Sequence, residues 1–455
     1  MRKLLALELS VIALGAATVV RPVAAQDTLR LAQALQRAEQ GSYANRIAAG
    51  EASARAAEAL KPDRGILPSA RVEGGYVRTT DPLSAFGFTL RQRAVTPAAF
   101  APATLNDPAA TGNFSMGLVL EQPLFNADAW VGRDAAARAR DAAQLSERWT
   151  RSVTAVEVVR AYWGAVLAQE EVGTLEASLN AARAHQRQAE SLVAEGMATK
   201  SDALLASVKA GEVEAMLIDA RSRALLAKRA LALRMGAPQD SSFALPASLP
   251  DAGRLRAMTA QVVVDSGPPP ERADVQAGAE ALAAAASDSR RARALYLPRL
   301  NSFGRLDWNA PGTPFGGKSA WTVGVMLSWS PFSGASELAE VRAADGRRES
   351  AQAAAEAATA QASLEQEQTR AQLQVALARL DIAEQAGTQA REAHRIVTRK
   401  YDGGLAGVSE LLDAAAAETA ANLSFVESRY QTIVAAAERL KAEGRDLSHL
   451  LDLDR

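Results

Sequence analysis

The sequence contains no cysteine, which excludes disulfide bridges, cysteine-ligated zinc and a lipidated N-terminal cysteine. Aromatic residues are sparse, at 5% of 455, whereas apolar residues reach 48% and much of that share is alanine. Such small side chains suit many slender, closely packed helices better than one thick core. Net charge is also lacking: 51 basic residues balance 52 acidic ones. That offers nothing to a phosphate backbone, so no nucleic-acid partner is expected. The three histidines, His185, His394 and His449, are scattered among polar positions of helical stretches and form no ligand-spaced set. There is no glycine-rich phosphate loop and no Ser/His/Asp constellation. No enzyme activity, metal or cofactor is expected from this pattern. Beyond the N-terminus no run of 18 apolar residues occurs, which argues against a helical inner-membrane protein.

What is present begins with a targeting segment. Arg2 and Lys3 precede an apolar stretch from Leu4 to Val20, and Val23-Ala24-Ala25 before Gln26 fits a small-residue cleavage site. A membrane anchor is the competing reading, but Glu8 interrupts the stretch and Arg21-Pro22 ends it. Cleavage after Ala25 is expected.

The remainder reads twice as helix, strand pair, long helix, turn and return helix. The first repeat is expected over 26–250, with strands at about 70–80 and 113–122, a long helix over 127–194, a tip over 195–202 and a return helix to about 236. The second is expected over 251–455, with strands at about 299–309 and 319–330, a long helix over 334–401, a tip over 402–410 and a return helix to about 444. Prolines 68, 123, 298 and 331 sit at the joints, where they disfavour helix and cannot enter a ladder. Residues 237–270 are rich in Pro, Ser and Asp, end in Gly267-Pro268-Pro269-Pro270, and read as a linker with room for short structure of its own. The connection between the first two strands (79–112) carries Phe86, Phe88 and Phe100 and suits a lid, a seal or a receptor site.

The strands alternate with period two. Trp321, Val323, Val325, Leu327 and Trp329 share one face, opposite Ala320, Thr322, Gly324, Met326 and Ser328. Phe114, Met116, Leu118 and Leu120 alternate likewise with Ser115, Gly117 and Glu121. Trp321 and Trp329 bracket the apolar stripe like the aromatic girdle of a membrane barrel. Their eight steps span about 26 Å, or about 20 Å along the normal at a tilt of ~40°, near the ~25 Å apolar band of outer-membrane barrels. A soluble sandwich shows the same alternation but needs more strands. Four strands cannot close a barrel, and an open edge is not viable in lipid, so a membrane reading requires several copies.

The long helices contain no proline and would each reach roughly 100 Å. In the first, Val158, Ala161, Ala165, Ala168, Val172, Leu175 and Leu179 step alternately by three and four, as in a coiled coil. Each ends in a matching tip: Gly196, Ser201, Asp202 and Leu204 recur 208 positions later as Gly404, Ser409, Glu410 and Leu412.

These features together resemble the TolC-type outer-membrane efflux proteins. The resemblance is carried by Tyr401, Gly404, Ser409, Glu410, Leu411, Leu412 and Asp413, by Gly196, Ser201 and Asp202, and by Arg272-Ala273-Asp274-Val275, where the family has Arg-Pro-Asp. It implies a mainly α fold with a small β-barrel portion: long antiparallel α-helical coiled-coil hairpins forming an α-barrel, plus four membrane β-strands per chain, in two structural repeats. It also implies a homotrimer in outer-membrane lipid, a periplasmic adaptor protein, an inner-membrane pump, and passive export of small molecules. In the family a tyrosine latch and its acidic partner hold the tips shut; these positions fall on Tyr401 and Asp202, grouped with Ser201 and Lys200. Rim acids fall on Glu410 and Asp413, which at i and i+3 share a helix face. The latch arginine is replaced by Ala406. A competing reading makes Asp202 and Glu410 helix-cap or first-turn acids. Two rival functions stand beside the efflux duct: the exit duct of a type I protein secretion system, and a periplasmic coiled-coil scaffold without a pore.

Overall fold

A computed structural model of the chain describes residues 28–238, 242–264, 270–313, 316–451 and 453. The expected signal peptide lies outside the described residues, as do residues 265–269 of the Pro-rich connection. In chain order the elements are α1 (Leu31–Gly41), α2 (Tyr43–Glu58), β1 (Ser69–Thr79), α3 (Pro82–Arg91), α4 (Pro102–Asn106), β2 (Thr111–Phe125), α5 (Ala127–Ala194) and α6 (Lys200–Arg234). They continue as α7 (Ala252–Val264), α8 (Ala273–Ala294), β3 (Arg299–Ala310), β4 (Lys318–Ser328), α9 (Ser336–Asp402) and α10 (Val408–Ala442). The fold class is the one the sequence implies: long helical hairpins with a small four-stranded antiparallel sheet, arranged as two repeats.

α5 has 68 residues and α9 has 67, so each is about 100 Å long at 1.5 Å per residue. Both end through the same closure. Gly196 and Gly404 adopt left-handed φ of 75° and 73°. The next amide in each case bonds back across the turn, Met197 N to Leu192 O and Leu405 N to Lys400 O, both at 2.8 Å. A side chain at either glycine would be strained, which is why glycine occupies the position just past each helix. The return helices α6 and α10 are both 35 residues long and end on Gly236 and Gly444, also left-handed.

The strands pair in the order β1-β2-β3-β4, all antiparallel. Register joins the halves directly: Leu118 of β2 faces Leu306 of β3, which faces Trp321 of β4. Side-chain alternation then puts Val72, Tyr76, Phe114, Met116, Leu118, Leu120, Leu306, Trp308, Trp321, Val323, Val325 and Leu327 on one face. The other face carries Arg71, Glu73, Glu121, Arg305, Asp307, Asn113 and Asn309. The sheet is therefore apolar on one side and charged on the other.

Where the halves meet, α1, α5, α6, α7, α9 and α10 enclose the main core, with Tyr162, Trp163, Leu255, Leu380, Ile433 and Leu440 fully buried. The buried Tyr162 hydroxyl donates to Leu29 O at 2.8 Å. Two connections carry structure of their own. The linker carries a helix, α7, that buries Leu255, Met258 and Val262. The 79–112 connection is likewise not plain loop: Asp81 caps α3 by accepting from Ser84 N at 2.8 Å, and Phe86 packs edge-on against Phe100. Gln92, just past α3, anchors it to the charged face of the sheet by donating to Gly112 O (2.8 Å) and Asn113 Oδ1 (2.9 Å). Asn113 in turn donates to Asn309 Oδ1 at 2.9 Å.

Candidate functional site at the hairpin tips

Two tips stand side by side because the two hairpins have matched lengths. Between them lies a small apolar cluster of Ala189 (α5), Ala206 (α6), Tyr401 (α9), and Val408, Leu411 and Leu412 (α10), flanked by Leu192, Val397 and Ala406. Ala406, where the resemblance puts the latch arginine, is part of this apolar contact. A long cation there would have to be desolvated against it.

Asp202 serves its own helix. Its Oδ2 accepts from Thr199 N at 2.9 Å and Thr199 Oγ1 at 2.8 Å, while the Thr199 hydroxyl accepts from Asp202 N at 3.3 Å. This reciprocal capping box satisfies the first amides of α6. The Thr199 amide, then its hydroxyl, hold the Asp202 carboxyl below the usual carboxylate value. The expected Tyr401–Asp202 hydrogen bond is not made within the chain. Tyr401 is buried, and its hydroxyl has no hydrogen-bond partner among the described residues. Burial, and then the charges of Asp202 and Asp402, push the Tyr401 phenol above its usual value. The carboxylate is therefore near the hydroxyl, but its hydrogen bonds are local.

Lys200 and Ser201 occupy the exposed first turn of α6. Glu410 and Asp413 are both exposed at the start of α10, on the opposite side from the inward Leu411 and Leu412. Asp413 adds to the dominant effect of the bonded Glu212 in holding the Lys209 ammonium above its usual value. At the sheet, Trp321 and Trp329 are 74% and 59% exposed. The Trp329 indole N–H donates to Tyr296 O at 3.1 Å, which fixes its ring at the helix–sheet junction.

The structure also assembles a group that the sequence reading scattered. His185 of α5 and His394 of α9 meet with ring centroids 5.6 Å apart, and His394 Nδ1 lies 2.5 Å from Glu418 Oε2 of α10. Burial, then the neighbouring His394, lower the pKa of His185, against the pull of Asp402. A sequence signal existed: the two histidines are 209 positions apart, almost the 208 of the repeat.

Paired hairpins of this length, ending in adjacent tips and rooted in a sheet with one apolar face, define a channel-tunnel type of architecture. The profile described as "Outer membrane efflux protein" matches residues 44–237 and 270–442, and the chain belongs to that family. Its fold is similar to that of the outer membrane protein VceC of Vibrio cholerae, at 20% identity and a TM-score of 0.75, over 92% of this chain and 97% of that one. The CmeC outer membrane channel of Campylobacter jejuni is 16% identical with a TM-score of 0.74, over 91% and 85%. The open state of the MtrE outer membrane channel of Neisseria gonorrhoeae is 18% identical with a TM-score of 0.72, over 92% and 90%. No curated protein matches the chain in sequence.

Proposed function

We propose that three copies of this chain close into a twelve-stranded barrel in the outer membrane and a helical tunnel below it. The assembly acts as the passive exit duct of a tripartite efflux system for small molecules. The observation that carries this reading is the sheet: four strands, one largely apolar face, and two edges, β1 and β4, with no ladder partner among the described residues. Such edges need partners in lipid, and a second and third copy supply them in the same antiparallel sense. The charged face then lines the lumen, with α3 held against it at the mouth by Gln92. A periplasmic adaptor and an inner-membrane pump complete the pathway, as membership of an efflux family supports; the duct itself performs no chemistry.

At the far end, six tips surround one aperture. The apolar cluster around Tyr401 and Leu412 holds the two tips of each chain together, and Glu410 and Asp413, present three times each, rim the opening with six carboxylates. Like charges so placed attract cations to the mouth. The test is extraction in mild detergent, mass measurement and insertion into planar bilayers. A trimeric, channel-forming particle supports the reading, whereas a soluble monomer from periplasmic extract overturns it.

A further inference from the structure

The tips lie below a cavity of about 590 Å³ bounded by α5, α6, α9 and α10, and His185, His394 and Glu418 line its wall. Three features of this wall belong together. First, the Nε2 atoms of both histidines are buried and have no hydrogen-bond partner among the described residues. A buried ring nitrogen without a partner is costly and calls for an occupant. Second, His394 Nδ1 is engaged by Glu418 Oε2 at 2.5 Å. A carboxylate on one ring nitrogen fixes the tautomer that leaves the other nitrogen's lone pair free, which is how metal-ligating histidines are commonly oriented. Third, the ring spacing fits. Two imidazoles sharing an ion at 2.0–2.1 Å per nitrogen, at a tetrahedral to trigonal angle, have ring centres roughly 5.2–5.5 Å apart; the observed separation is 5.6 Å with the planes at 72°.

We propose that His185 and His394 form a binding site for a late first-row divalent ion, Cu²⁺, Ni²⁺ or Zn²⁺, with Glu418 as the positioning carboxylate. Imidazole nitrogens select these ions over Mg²⁺ and Ca²⁺, which take oxygen ligands. Among the described residues no group of three or more His, Cys, Asp or Glu side chains is placed to hold a metal. The two nitrogens therefore supply only part of a coordination sphere, and because both are buried, water from the adjoining cavity completes it only once the rings turn toward that cavity. The charged neighbours are mixed: Arg391 Nε lies 3.8 Å from Glu418 Oε1, and Lys209 is bonded to Glu212. The consequence is mechanical. α5 belongs to the first half and α9 to the second, so a bound ion cross-links the two hairpins just above the tips and opposes their separation. The site lies within one chain and does not depend on the trimeric duct reading.

The experiment uses tag-free, chelator-treated protein in detergent, titrated with Cu²⁺, Ni²⁺, Zn²⁺ and Mg²⁺ in a calorimeter. One Cu²⁺, Ni²⁺ or Zn²⁺ per chain is expected, in the affinity order Cu²⁺ above Ni²⁺ and Zn²⁺, with no Mg²⁺ bound. His185→Ala and His394→Ala should each weaken binding at least about tenfold, and Glu418→Gln by about 10–100-fold. His449→Ala, in the C-terminal turn, should leave binding unchanged. The Cu²⁺-loaded parent should show an electron paramagnetic resonance spectrum with two coordinated imidazole nitrogens, a readout that needs no variant to fold. Fewer than two nitrogens, unchanged binding in the double histidine variant, or loss of binding in His449→Ala each overturns the proposal.

Discussion

Replacing Arg272 by alanine tests how the second repeat is tied to the first. Arg272 is only 4% exposed, yet it is charged. Its Nε and Nη2 grip Asp274 in a two-point fork at 3.0 and 2.7 Å, Nη1 reaches Glu365 Oε2 at 2.8 Å, and its guanidinium lies 4.5 Å above the Trp149 ring of α5. One side chain thus fastens the start of α8 to α9 and α5. Removing one partner of a buried ion pair costs about 3–5 kcal/mol, because the remaining charge is left uncompensated. Here the carboxylates are about a quarter exposed, and Glu365 keeps Lys441 Nζ at 3.1 Å. That places the electrostatic loss at the lower end or just below, and the lost cation–π contact adds about 0.5–2 kcal/mol. The expected total is about 3–5 kcal/mol. Arg272→Lys should recover less than half, since an ammonium cannot reproduce the fork. Chemical denaturation in detergent, followed by circular dichroism, measures both. A loss under about 0.5 kcal/mol, the range of ordinary surface substitutions, or full rescue by lysine would refute the argument.

Val325→Arg puts a cation in the middle of the apolar face and should impair assembly by about 2–4 kcal/mol; a variant that resists heat like the parent would mean the faces are reversed. Tyr401→Phe removes a buried hydroxyl that has no partner among the described residues, so stability should hold or rise. A fall of more than about 1 kcal/mol in thermal or chemical unfolding would instead reveal a bond to a neighbouring copy. Glu410→Ala combined with Asp413→Ala should abolish cation preference and block by trivalent cations in planar bilayers; unchanged selectivity would remove these acids from the rim. For Asp202, a carboxyl depressed by its Thr199 bonds stabilises the fold above the ordinary value of 3.8 and loses that contribution as pH falls through the lower folded value. Thr199→Ala should therefore move its titration upward and speed hydrogen exchange at the start of α6. An unmoved titration would count against the capping box.

The parts of the fold legible in sequence are those where a long-range requirement acts on every residue of a segment. A strand with one apolar face must alternate, so Trp321 to Leu327 could be read directly, although β4 ends at Ser328 and leaves Trp329 just beyond it; a 100 Å helix must exclude proline throughout. The parts missed are those decided by a few residues. In α7 the stripe Leu255, Met258 and Val262 has helical spacing but is short and hidden between proline-rich flanks. Asp202 had two plausible partners, and the local one three residues away is engaged at far lower entropic cost than a bond across tips. The His185–His394 contact is invisible until the halves are superposed, because it joins residues on separate hairpins. Gln92 gave no signal at all, since an anchor of this kind depends on where the sheet's Asn113 and Asn309 happen to lie.

The equal return helices and their four left-handed glycines have a consequence for how this chain can change over generations. Gly196 and Gly404, and Gly236 and Gly444, keep the same 208-residue offset. One residue inserted in α6 but not in α10 would shift that helix's end by about 1.5 Å and rotate everything beyond it by about 100°, so the tips would no longer stand level. Insertions and deletions are therefore tolerated at the same height in both halves together, in near-whole turns such as seven residues, or not at all. The shared 208-residue offset thus ties the two halves to each other in length, whatever their differences in composition.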